Sequence, residues 1–130
     1  MARHALEVAR NLEAQAYPAD SASKSYYAMF YAAQALLTAE GIHATKHSTV
    51  EAALGLHFAK TGRLDPKFHR LFIDGRKLRH LADYSTQVTI EDLTASEALD
   101  AAAAFVAAVQ ELLSAPRDGI SPGANSERMD

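Results

Sequence analysis

The run Arg76-Lys77-Leu78-Arg79-His80-Leu81-Ala82-Asp83-Tyr84 packs cations, an imidazole, a carboxylate and a phenol into nine positions, and no other segment holds comparable chemistry. Seven of the 13 lysines and arginines fall between Lys60 and Arg79 and face only Asp65 and Asp74, while the whole chain carries −3. Such asymmetry suits an anionic partner held at one place on the surface. On a helix, Arg76 reaches His80, Arg79 reaches Asp83 and His80 reaches Tyr84, each pair being four residues apart. At about 100° per residue these groups share one face, with Leu71, Gly75, Leu78, Leu81 and Ala82 on the other.

That inventory is sufficient for metal-independent RNA cleavage, in which a 2′-hydroxyl attacks the adjacent phosphate. His80 supplies a proton acceptor or donor near neutrality, and Arg76 and Arg79 supply fixed cations for charge developing on phosphate oxygens. Asp83 can orient the imidazole or a guanidinium. Tyr84 can hydrogen-bond phosphate or stack on a base, and Lys77 and Tyr27 complete a surface for nucleic acid or a protein partner. The plain alternative is a solvated helix face laced with i, i+4 ion pairs, each worth a few tenths of a kcal/mol.

Other residue sets fall to simpler explanations. The absence of Cys removes disulfides, thiolate catalysis and Cys-ligated zinc. His43 and His47 lie four apart in a stretch read as loop, with no carboxylate or Cys to complete a set, so no metal is expected. Ser48 reads as a helix cap rather than a nucleophile, and no Asp or Glu is spaced to complete a triad. No Gly-rich phosphate loop is present, and no cofactor is expected. Tyr26, Tyr27, Phe30 and Tyr31 recur at helical spacing and read as packing, with the hydroxyl of Tyr26 or Tyr27 available to a cleft.

The elements that must position these groups are helical throughout. A chain of 130 residues with 48% hydrophobic content fits one domain with one core. Pro, Gly and capping residues mark five segments. The first spans about Arg3 to Ala16, with Leu6, Val8, Ala9, Leu12 and Ala16 at helical spacing, and stops before Pro18. The second starts at an Asp20 or Ser21 cap, is apolar nearly all round, and runs to Gly41. The third opens on a capping box, Ser48-Thr49-Val50-Glu51, and closes at Gly62. Asp65-Pro66 starts the fourth, which runs to about Asp83. A second box, Thr94-Ala95-Ser96-Glu97, leads the fifth to about Ser114, after a turn-like Thr89-Ile90-Glu91-Asp92. Residues 1–115 form the bundle, and 116–130 read as a disordered tail. The fold class is all-α: an antiparallel up-and-down bundle of four main helices, with the fifth flanking or extending it. No apolar run is long enough for a signal or membrane span, so a cytoplasmic protein is expected.

Several of these motifs occur in one order: Tyr26 through Leu37, Ala39-Glu40-Gly41-Ile42, His47-Ser48, Lys60 through Asp65, Arg79, and Ala82-Asp83-Tyr84. From about Arg3 to Leu113 the chain resembles the HEPN superfamily, in its small stand-alone prokaryotic branch. The resemblance implies an antiparallel bundle that commonly forms a homodimer. It also implies relatives that act as ribonucleases, or as toxin–antitoxin partners of a minimal nucleotidyltransferase encoded nearby. Active members resemble one another in an Arg, four to six residues, then His, often followed after one residue by Tyr. Counted from Tyr84, that His falls on Ala82, and His80 follows Arg76 one residue too soon. The resemblance therefore implies a variant degenerate in the ribonuclease motif, with Tyr84 where some toxins are modified with AMP. The bundle is also similar to the C-terminal domain of kanamycin-type nucleotidyltransferases.

Overall fold

The computed structural model describes residues 1–85 and 89–115. Among them are five α-helices and no strand: α1 (Ala2–Ala14), α2 (Pro18–Ala39), α3 (His47–Leu54), α4 (Pro66–Tyr84) and α5 (Asp92–Ser114), with a π-helical turn, Gly55–Ala59, continuing α3. The all-α antiparallel bundle expected from the sequence is the architecture observed. The tail expected at 116–130 lies outside the described residues.

Helix α2 is the axis of the bundle, packed against α1, α4 and α5, because apolar groups surround it. Tyr26, Met29, Ala33 and Leu37 are fully buried along it. Helix α5 lies along α2 through Leu99, Ala102, Phe105, Val106 and Val109, so it is a main helix, and the flanking part falls to the short α3. Its small residues let α5 approach closely, while Phe105 reaches Phe72 of α4 at 5.8 Å between ring centres.

Several helix ends differ from the sequence expectation, each for a local reason. Helix α1 stops at Ala14, and Ala16 takes a left-handed φ of 63° while Tyr17 N–H donates to Leu12 O at 2.8 Å. Helix α2 starts at Pro18 rather than after an Asp20 or Ser21 cap, since proline is pre-organised for the first helical position. Ser21 instead donates its hydroxyl to Ala9 O at 2.8 Å, tying α2 to α1 within the core. Neither capping box forms: α3 begins at His47 and α5 at Asp92, with no side-chain cap bond at either. The Asp65 cap does form, its Oδ1 accepting from Lys67 N–H at 3.0 Å ahead of Pro66.

Helix α4 rolls differently from the sequence expectation. Its fully buried residue is Phe72, and Leu81, expected on the apolar side, is 40% exposed. Helix α4 is contacted by α2, α3 and α5 together. Gly75 faces α2 so closely that a Cβ there would collide with Met29 Cε. Leu78 and Ala82 pack beside a smaller cluster of Ala22, Ile90 and Ala95.

Candidate functional site

The roll of α4 turns Arg76 and Arg79 toward α2 and α3 rather than into solvent. Arg76 Nε donates to Glu51 Oε1 at 2.7 Å, and this bond to Glu51 is the main cause that raises the arginine's pKa. Glu51 is therefore an ion-pair partner, not the helix cap expected from its spacing. A carboxylate within reach of a guanidinium gains more from the charged pair than from one backbone donor.

One turn on, Arg79 is held by three groups. Its terminal nitrogen donates to the Tyr27 hydroxyl at 2.8 Å, and its guanidinium carbon lies 5.2 Å from the Tyr27 ring centre and 5.6 Å from that of Tyr84. Its Nε stands 2.8 Å from Asp83 Oδ2, a charge contact in which the N–H is poorly aligned for a hydrogen bond. The i, i+4 contact between Arg79 and Asp83 is thus formed.

The end of the helix opens outward. Tyr84 is 66% exposed, and His80, also exposed, sets its ring 4.9 Å from the Tyr84 ring. Lys77 is exposed on the same helix. The structure therefore brings together Arg79, Asp83, Tyr84, Tyr27 and His80. It separates Arg76, which turns to Glu51 instead of meeting His80.

Behind the arginines lies a group that the sequence reading set aside. His47, at the first position of α3, stacks on Phe30 at 4.1 Å with planes 12° apart, and its Nδ1 shares a 2.8 Å hydrogen bond with the Tyr26 hydroxyl. Burial, and then the charge of Arg79, hold its pKa below the ordinary 6.5. Burial and then Glu51 push the Tyr26 phenol up to about 12. His47 opens α3 and finds its partners on α2, about 20 residues away, so no local spacing marks it. Below α3, His69 Nε2–H donates to Glu51 O at 3.0 Å, fixing the backbone of the residue that holds Arg76.

Among the described residues, no three His, Asp or Glu side chains are placed to hold a metal ion, and no helix is long and apolar enough to cross a membrane. A HEPN domain model matches residues 1–112. The chain belongs to the HEPN domain family.

This HEPN chain is 43% identical over 83 residues to a UPF0332 protein of Gloeobacter violaceus, a match covering 64% of the chain and 66% of that relative. It is 30% identical over 112 residues to a UPF0332 protein of Thermotoga maritima, covering 86% and 85%. A protein of Methanocaldococcus jannaschii named as a candidate toxin is 33% identical over 73 residues, covering 56% and 54%. The match thus spans about half to two thirds of the first and third of these relatives. Ala82, two residues before Tyr84, is half-buried against the small cluster of Ala22, Ile90 and Ala95.

Proposed function

We propose that this chain is the HEPN member of a toxin–antitoxin type pair, without ribonuclease catalysis of its own, and that it presents Tyr84 to a minimal nucleotidyltransferase. The observation that carries the reading is the setting of that phenol. It is two-thirds exposed at the end of α4, with the Arg79 guanidinium against one side of the ring and His80 against another. An exposed phenol beside a guanidinium suits attack on a nucleoside triphosphate, whose charge that cation partly offsets. In the transfer, the Tyr84 oxygen bonds to the α-phosphorus of ATP and the bond from that phosphorus to the bridging oxygen breaks. Pyrophosphate leaves, and the phenol proton passes to a base or to water. Relatives named as candidate toxins support the pairing. The family's tendency to dimerise makes a homodimer the assembly to look for by sedimentation.

The competing reading is metal-independent RNA cleavage with His80 as acid or base and Arg76, Arg79 and Asp83 around the phosphate. It is disfavoured because Arg76, needed beside His80 as a phosphate clamp, is paired with Glu51 at 2.7 Å instead. The deciding experiment incubates the purified chain with a minimal nucleotidyltransferase and ATP and measures its intact mass. Gain of AMP mass in the wild type and none in Tyr84→Phe is the expected result. Unchanged mass in both, with RNA shortened by the wild type and not by His80→Ala, would replace this reading with the nuclease.

A further inference from the structure

Arg76 and Arg79 are held by opposite kinds of partner. Arg76 donates through Nε to a carboxylate, Glu51 Oε1, at 2.7 Å, so its charge is offset where it stands. Arg79 donates through a terminal nitrogen to a neutral oxygen, the hydroxyl of Tyr27, at 2.8 Å. A neutral acceptor fixes a guanidinium without cancelling its charge. The carboxylate of Asp83 stands 2.8 Å from Arg79 Nε, but that buried N–H is not aligned with it, so the phenol supplies the well-directed bond.

Tyr27 is itself firmly seated. Its ring stands edge-on to His47 at 5.9 Å and to Tyr26 at 5.7 Å, and lies tilted against Tyr31 at 6.1 Å. Rings from α2 and α3 thereby fix the direction in which the hydroxyl points. Burial, and then Arg79, hold His47 toward its neutral form, so that imidazole adds no charge beside the guanidinium.

An arginine on a helix surface has several rotatable bonds, and its charged neighbour one turn on is Asp83. Left to that neighbour alone, the guanidinium would turn to align with the carboxylate. The Tyr27 hydroxyl, reaching it across 52 residues, instead sets it between two phenol rings, with its carbon 5.2 Å from the centre of Tyr27 and 5.6 Å from that of Tyr84. The freedom of the side chain is thus given up on folding rather than during reaction.

We infer, on the reading of Tyr84 as the modified group, that Tyr27 is a positioning residue for AMP addition: its hydroxyl holds the Arg79 guanidinium beside the Tyr84 phenol, where the cation meets the triphosphate. Tyr27 takes no part in bond making. It acts through Arg79, which partly offsets charge on the phosphate oxygens as the Tyr84 oxygen attacks and pyrophosphate leaves. A cation fixed in advance lowers the barrier to that step more than it tightens binding.

The test follows AMP addition by intact mass, with a minimal nucleotidyltransferase and ATP, on the wild type, Tyr27→Phe, Arg79→Gln and the double variant, each first checked for helix content by circular dichroism. Tyr27→Phe keeps the ring and its packing, and is expected to lower kcat about tenfold, since a hydrogen bond to a charged group is worth about that factor or more. The concentration of the HEPN chain that half-saturates the transferase is expected to stay unchanged. In the Arg79→Gln background, Tyr27→Phe is expected to slow the reaction no further, because the group it positions is gone. Equal rates for the wild type and Tyr27→Phe would overturn the inference and leave Tyr84 as the acceptor. So would losses that multiply in the double variant, as for a hydroxyl that only supports the fold. No AMP on the wild type would overturn the inference together with the reading of Tyr84, and the wild-type mass tells the two failures apart.

Discussion

Phe72 and Tyr84 stand about three turns apart on α4 and live under opposite conditions. Phe72 is fully enclosed among Tyr26 and Phe105, whereas Tyr84 is two-thirds exposed and touched mainly by charged or titratable neighbours. The arginines between them grade from one condition to the other: Arg76 is tied to Glu51 of α3, and Arg79 bridges the Tyr27 hydroxyl and the last turn. One helix thus serves as core at its middle and as exposed surface at its end. The lesson is that charge on a helix does not by itself identify working residues. Arg76 is engaged in holding α3 to α4, while Tyr84 is two-thirds exposed with Arg79 and His80 beside its ring.

Mutations along α4 and its supports can break that contrast. Phe72→Ala should destabilise the fold by about 3–5 kcal/mol in urea unfolding, because an enclosed aromatic leaves a cavity. Equal losses at Phe72 and at Tyr84 would erase the distinction between the two ends. Tyr26→Phe should cost about 1 kcal/mol through loss of the bond to His47. It should also change the alkaline behaviour. A phenol whose folded value is raised from 10.0 to about 12 contributes stability below 10.0 and loses it as pH climbs between those values, and the Phe variant should lack that decline.

His47 gives the acid-side counterpart. Its lowered folded value means that the unfolded chain binds the proton more readily, so stability is intact above 6.5 and is lost as pH falls from 6.5 toward the lowered value. Denaturation midpoints across that range should slope in the wild type and flatten in His47→Asn. Glu51→Gln should cost less, under about 1 kcal/mol, since Arg76 keeps 39% of its side chain in solvent. Tyr84→Phe should leave stability within about 0.5 kcal/mol while abolishing AMP addition. A marked loss of stability there would turn Tyr84 from a presented group into a structural one.

Much of the fold was legible because its signals are local. Asp65-Pro66 is legible as a helix start since the accepting cap, the proline and the donating N–H of Lys67 lie within three residues. Gly41 and Gly62 were read as stops, and both take left-handed φ values, 78° and 77°. The two capping boxes failed for the opposite reason. Ser48 to Glu51 has the right spacing, yet Glu51 is claimed by an arginine 25 residues away. Of the candidate site, the contacts of Arg79 with Asp83 and of His80 with Tyr84 were legible as i, i+4 pairs. The hydroxyl of Tyr27 on Arg79, across 52 residues, was not legible as a contact.

The sequence by itself determined the helical character, the breaks between helices and the clustering of cations, imidazole and phenol on α4, because periodicity, caps and charge are properties of neighbouring residues. Only the tertiary structure decided how α4 is rolled, and so which arginine is anchored, which hydroxyl is open, and that His47 stacks beneath them. Rotation of a helix about its axis is set by the partners that cover it, and those partners come from distant parts of the chain.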